Sequence, residues 1–186
     1  MHGVWNTTIV IKSYIQNTIR FLLFVISASL LITGCVGHRN SSGYSMQETM
    51  FASMMIPHHQ QAIVMSEIAL TNTTNPDVLA LANEIKAAQA PEIEQMKKWG
   101  EVDTDMHSGH VMSGMLTDEE LSALRTAQGK DFDRLFLEGM IKHHEGAILM
   151  TEMIVDSKKP DVASLAQSII TTQKAEIERM KVILGK

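Results

Sequence analysis

Residues 54–67 read MMIPHHQQAIVMSE, and residues 139–152 read GMIKHHEGAILMTE. The two copies set Met55 against Met140, His58-His59 against His143-His144, Met65 against Met150 and Glu67 against Glu152, and Phe51 upstream matches Phe136. Apolar residues recur three and four apart through both, the spacing of a helix and not of a strand. After a one-residue slip the likeness continues. NPDVLALA (75–82) matches KPDVASLA (159–166), and APEIEQMK (90–97) matches KAEIERMK (174–181). Helix, short break and helix, twice over, is a duplicated helical hairpin. One hairpin alone leaves an apolar face uncovered and two together bury both. The expected fold is therefore all-α, a four-helix bundle of two repeated hairpins.

Local signals set the boundaries. Ser45 and Glu48 have the S-x-x-E spacing of a capping box, which opens a helix expected to run to about Leu70. TNTTNPD breaks it, with Asn75 as the N-cap and Pro76 in the first turn of the next helix. That second helix carries Val78, Leu79, Leu81, Ala82, Ile85, Ala88, Ile93 and Met96 on an approximate stripe and is expected to stop at Gly100. Thr117 and Glu120 form another capping-box spacing before one short extra helix, and Asp131 is placed to cap the long helix after it. The hairpins thus occupy residues 45–100 and 131–186, joined by a connector over 101–130. Pro57 and Pro91 fall inside helices, where each costs about 3 kcal/mol. Lys142 holds the place of Pro57 in the second copy, so a bend there is no requirement of the motif.

Residues 1–34 do not read as part of the bundle. Lys12 and Arg20 are their only Lys or Arg, and FLLFVISASLLI (21–32) is too short to span a bilayer comfortably but suits an export signal. The run ends in LITGC at Cys35, the only cysteine, in the manner of a bacterial lipobox. Residues 1–34 are accordingly expected to be a lipoprotein signal peptide, Cys35 the lipidated residue, and 35–44 a polar tether. Val36 after the cysteine does not ask for inner-membrane retention, so a periplasm-facing lipoprotein of the outer membrane is expected in a Gram-negative cell. The 186-residue chain carries a net charge of −5; removing 1–34 takes two of its 16 basic residues and none of its 21 acids, leaving −7. Nucleic acid is a poor partner for such a surface. A lipidated Cys35 leaves no disulfide, so stability must come from packing or from bound metal.

The chemistry concentrates on His and Met. On a helix His58 and His59 lie one turn beyond Met54 and Met55, and Met140 stands in the same relation to His143 and His144. Consecutive histidines point 100° apart, so one of each pair can face the bundle centre while the other lies at a helix seam. Glu92 and Met96 are one turn apart on the second helix, as are Glu176 and Met180 on the last. If each hairpin folds back on itself, these groups converge on the histidines. Buried methionine is commonly core filler, and a duplicated His-His pair can be inherited without use. The connector tilts the balance, because MHSGHVMSGM sets Met106, His107, His110, Met112 and Met115 within ten residues of a Gly/Ser-rich stretch that no packing argument explains. Thioether with imidazole selects Cu(I) or Ag(I), and imidazoles alone accept Cu(II). Zinc would call for a Cys, His and carboxylate set that is not evident, and a di-iron bundle for Glu-x-x-His, which does not occur. No hydrolytic nucleophile with its base and no phosphate-binding loop can be named. Free imidazoles would release metal as pH falls through about 6.5.

MIPHHQQAIVM and MIKHHEGAILM, in a duplicated hairpin with a Met/His-rich connector, resemble the domain-of-unknown-function 305 family over residues 45–185. That family has a ferritin-like four-helix bundle and includes CopM-like extracytoplasmic copper-binding proteins. The resemblance implies copper ligation by Met55, His58, His59, Met140, His143 and His144, and by the connector. The function expected is an exported copper-binding lipoprotein, not an enzyme, that buffers, sequesters or hands on Cu(I), and also Cu(II) or Ag(I), to a partner protein. Two other readings stand beside it: a metal-dependent oxidoreductase with a site in the bundle core, and a Met-rich protein-interaction module.

Overall fold

The computed structural model describes residues 43–104 and 112–186. The expected signal segment, Cys35, Met106, His107 and His110 lie outside the described residues.

The described chain is helical in the expected order: α1 (Met46–Asn72), α2 (Pro76–Met96), α3 (Asp118–Thr126), α4 (Gly129–Thr151) and α5 (Pro160–Ile183), with a 3₁₀ turn at Lys97–Trp99. Both capping boxes form. The Ser45 N–H donates to Glu48 at 2.7 Å while the Glu48 N–H donates to Ser45 Oγ, and Thr117 with Glu120 repeats the exchange. Asn75 Oδ1 accepts from the Asp77 N–H, and Pro76 follows it as the first helical residue. One boundary differs from expectation. Asp131 does not cap α4; the helix already begins at Gly129, whose φ of 55° turns the chain sharply out of α3. Asp131 instead lies in the first turn, where a carboxylate favours the helix dipole without a capping bond.

The core shows how the four long helices stack. One apolar cluster holds Ala62, Met65, Ala69, Val78, Leu81, Ile85, Phe132, Phe136, Met140, Ile177 and Met180, and Leu124 of α3 closes it. The other holds Phe51, Met55, Ile56, Ile93, Met96, Trp99, Ala147, Ile154, Val162 and Ile169. The first takes the C-terminal half of α1 with the N-terminal halves of α2 and α4; the second takes the reverse. Thus α1 and α2 are antiparallel, α4 and α5 are antiparallel, and α1 runs against α4. The halves are related by an approximate twofold across the bundle. The main packing is within each hairpin and between α1 and α4, while α2 and α5 touch more lightly. Between the two clusters lies a polar layer.

Candidate metal centre

That layer contains the four histidines of the two His-His pairs, each fully buried. His58 of α1 and His143 of α4 face each other across the centre with ring centroids 3.8 Å apart and planes tilted by 41°. Their neighbours turn to the seams, as the 100° step of a helix requires. His59 Nε2 lies 2.8 Å from Glu92 Oε2 on α2, and His144 Nε2 lies 2.7 Å from Glu176 Oε2 on α5. Each seam histidine is therefore 6.3–6.4 Å, ring to ring, from its central neighbour.

These contacts settle the tautomers. A carboxylate can only accept, so Nε2 of His59 and of His144 carries the proton. His58 Nε2 lies 3.0 Å from the carbonyl of Ser113, which also only accepts. In His58, which is held neutral, the lone pair then resides on Nδ1, and in all three rings Nδ1 is buried with no hydrogen-bond partner among the described residues. His143 has neither ring nitrogen partnered. Such orphaned nitrogens cost free energy unless something binds them. A carboxylate holding the far side of an imidazole is the usual support for a metal-ligating histidine.

Burial keeps the central pair in ligand form. It pushes His58 down to about 3, assisted by the nearby His59 and opposed by the Ser113 carbonyl. Burial likewise holds His143 well below the ordinary histidine range, with His58, His144 and His59 adding to the effect. Proton competition expected near pH 6.5 for free imidazoles is thereby displaced far to the acid side for this pair.

Soft donors bracket the layer. Met55 and Met96 are fully buried on one side of it, Met140 and Met180 on the other. All four also serve as core filler, so packing and ligation draw on the same side chains. Among the described residues no three His, Cys, Asp or Glu side chains are grouped to hold one ion. An ion bound at the central pair by more than two donors would draw on a thioether. Because the His58 and His143 rings are in contact, that ion would sit at their edges and not between their faces. The donor set fits a soft ion of low coordination number.

Sequence reasoning missed two elements of the layer. Gln89 and Gln173 are 2% exposed, and neither the oxygen nor the nitrogen of either amide has a partner among the described residues. They hold the same place in the two repeats, one turn before Glu92 and Glu176, so Gln-x-x-Glu-x-x-x-Met in both copies was a legible signal. The second element is the end of the connector. Ser113–Leu116 crosses the α1–α4 face directly over the central histidines. Gln61 grips it twice, accepting from the Leu116 N–H at 2.8 Å and donating to the Leu116 carbonyl at 3.0 Å. Gly146, the equivalent of Gln61 in the second copy, provides bare backbone beneath it. A Cβ at Gly146 would stand 2.0 Å from the Ser113 oxygen, and one at Gly114 would stand 2.4 Å from the Lys142 carbonyl. Gly114 also has a φ of 82°, a backbone region that suits glycine. Met112 precedes this strap and Met115 lies within it, and both are half-buried, Met112 against the Phe51 cluster. The structure thus brings His58, His59, His143, His144, Glu92 and Glu176 into one layer with four methionines beside it, and carries Met112 and Met115 to its rim.

Known proteins resemble this chain in sequence and fold. CopM in its Cu(II)-bound form is 40% identical, with a TM-score of 0.63, and the match covers 72% of this chain and 93% of CopM. CopM structures also exist with Cu(I) and with Ag bound. A DUF305 protein of Streptomyces coelicolor described as secreted is 30% identical, with a TM-score of 0.66, over 75% of this chain and 92% of its own. The uncharacterized protein L153 of Acanthamoeba polyphaga mimivirus is 44% identical over 65 residues, which is 34% of this chain and 42% of that relative. The family described as domain of unknown function DUF305 matches residues 48–184, and the chain belongs to that family.

Proposed function

We propose that the protein is an exported copper-binding protein that takes up Cu(I), and also Cu(II) or Ag(I), for buffering, sequestration or transfer, with no catalytic step of its own. The observation that carries this reading is the buried His58–His143 pair, neutral and with unpartnered ring nitrogens, between buried thioethers. CopM, with copper or silver bound, supports the choice of ion. The secreted Streptomyces relative and the apolar run before Cys35 support export, and the lipobox-like LITGC supports a lipid anchor.

On this reading His58 and His143 are the central ligands. Met55 and Met140 supply sulfur from one turn away, with Met96 and Met180 behind them. Glu92 and Glu176 orient His59 and His144. The connector's Met and His residues supply further soft donors to the ion. A competitive Cu(I) titration against a chromophoric chelator tests the proposal. Stoichiometric binding is expected, reduced in steps by replacing the four histidines and then the connector donors Met106, His107, His110, Met112 and Met115. Binding no tighter than that of an arbitrary methionine-containing protein would sink it.

A further inference from the structure

The two seam histidines have equivalent carboxylate partners but unequal surroundings. Between α2 and α5, beside Glu92, lies a groove of about 310 Å³ lined by Pro91, Glu92, Gln95, Ser164, Ser168 and Thr172, among others. Its walls offer a carboxylate, an amide and three hydroxyls, groups able to replace the water of a hydrated cation. In the other half, the repeat places Arg179 where Gln95 stands and Glu84 where Ser168 stands. These two form an ion pair from α5 to α2, across the position equivalent to the groove. Gln95 instead donates to the Asp161 carbonyl of α5 at 3.1 Å, so on the Glu92 side α2 and α5 are joined by this hydrogen bond and not by the equivalent of the Arg179–Glu84 ion pair. Pro91 adds a second difference, because it removes an intrahelical hydrogen bond immediately before Glu92 and Ala175 does not.

Glu92 and Glu176 are equally exposed, at 13% and 12%, so water reaches both, and what distinguishes them is the groove beside Glu92 and the Arg179–Glu84 ion pair in the other half. The opposite approach, across the α1–α4 face, is closed by Ser113–Gly114 lying against the α4 backbone with no space for a Cβ.

We propose that the α2–α5 groove beside Glu92 is the route by which a metal cation exchanges between solvent and the buried histidines, so that only the first hairpin's seam is open to exchange. The inference rests on the metal-binding reading for the identity of the cargo. An incoming hydrated ion meets the hydroxyls and the Glu92 carboxylate first, and passes beside the Glu92–His59 pair to reach the unpartnered Nδ1 side of the buried rings. The second seam, bridged by Arg179 and Glu84, keeps its half rigid.

The test transplants the bridge. Gln95→Arg with Ser168→Glu places the second half's ion pair in the first half's groove and leaves the net charge unchanged, so long-range steering is constant. Helicity and thermal midpoint first show that the variant folds. In the full chain without metal, the His59 Nε2–H is expected to exchange with water about tenfold faster than that of His144, and the variant to remove the difference. With silver nitrate as the probe, stopped-flow uptake should slow about tenfold while the dissociation constant is unchanged, the signature of a blocked path and not of a lost ligand. Glu84→Ser with Arg179→Gln, which opens the second seam, should accelerate uptake. Equal imidazole exchange in the two halves, or uptake indifferent to both variants while the parent binds silver tightly, would overturn the route and leave metal binding intact. A parent that takes up neither silver nor Cu(I), with the exchange asymmetry present, would overturn the metal-binding reading and with it the cargo of this route.

Discussion

The two hairpins carry the same donors in different settings. In the first, Pro57 precedes His58 and Pro91 precedes Glu92; in the second, Lys142 and Ala175 stand at those places. The first has Gln61 holding the connector, and the second has Gly146 lying bare beneath it. His58 is tied to the Ser113 carbonyl, whereas neither ring nitrogen of His143 makes a well-formed hydrogen bond among the described residues. A duplicated motif thus preserved its chemistry while the single connector, which can cross the pseudo-twofold only once, forced the surroundings to diverge. Similar ligand sets on the two sides do not make two equivalent sites.

The largest expected effect tests whether the centre dominates both seams. Replacing His58 and His143 together with Ala should cost more Cu(I) affinity than the roughly 10- to 100-fold typical of losing a carboxylate that supports a ligand. If the seam pair His59 and His144 proves costlier in the same titration, the centre has been placed wrongly. Next come the prolines. Pro57→Lys and Pro91→Ala, borrowed from the second hairpin, should each stabilise the metal-free protein by up to about 3 kcal/mol in urea unfolding. No gain would mean that the freed carbonyls are already satisfied.

Acid sharpens the comparison differently. The unfolded chain protonates His58 and His143 near pH 6.5, whereas the native protein keeps them neutral, His58 down to about pH 3. Below about pH 6.5 the unfolded state therefore takes up protons that the native state refuses. Stability should be fully present at neutral pH and fall as pH drops below about 6.5, by about 1.4 kcal/mol per unit for His58 down to about pH 3, with His143 acting in the same direction. A metal-free protein whose unfolding midpoint in urea is the same at pH 7 and pH 5 would contradict the buried neutral pair.

Smaller effects address the supports. Glu92→Gln and Glu176→Gln should each lower Cu(I) affinity by about 10- to 100-fold, and equal losses would show that the halves share one ligand chemistry. Gly146→Ala should destabilise by about 1–3 kcal/mol, because its new Cβ would fall on the Ser113 carbonyl. Gln61→Ala, which loses both bonds to Leu116, should cost a similar amount by stranding the Leu116 backbone groups. If the Gly146 variant is as stable as the parent, the strap is loosely held and the α1–α4 face is not closed.

The all-α fold was legible because its signals are local. Ser45 with Glu48, Thr117 with Glu120 and Asn75 with Pro76 mark helix starts through bonds spanning two or three residues, and the repeat doubles every indication. Asp131 misled, because the φ of Gly129 started α4 before that carboxylate was reached. The candidate donors were legible too, since His-His, Met one turn away and Glu-x-x-x-Met recur in both copies. Gln89 and Gln173 carried the same doubled signal, although an amide in a helix usually faces solvent.

What the sequence by itself determined is the set of helices, their pairing into two hairpins, and an inventory of imidazole, thioether and carboxylate at helical spacing. Those follow from residue type and from a 100° step along the chain. Only the tertiary structure decided that His58 meets His143 while His59 and His144 turn to Glu92 and Glu176, because that depends on how four helices are rotated against one another. It also decided that Ser113 reaches His58 across 55 residues, that Gly146 must be bare beneath the strap, and that Arg179 pairs with Glu84 across one seam while a groove lies beside Glu92 at the other. Each joins segments far apart in the chain, and no local rule relates them before the bundle closes.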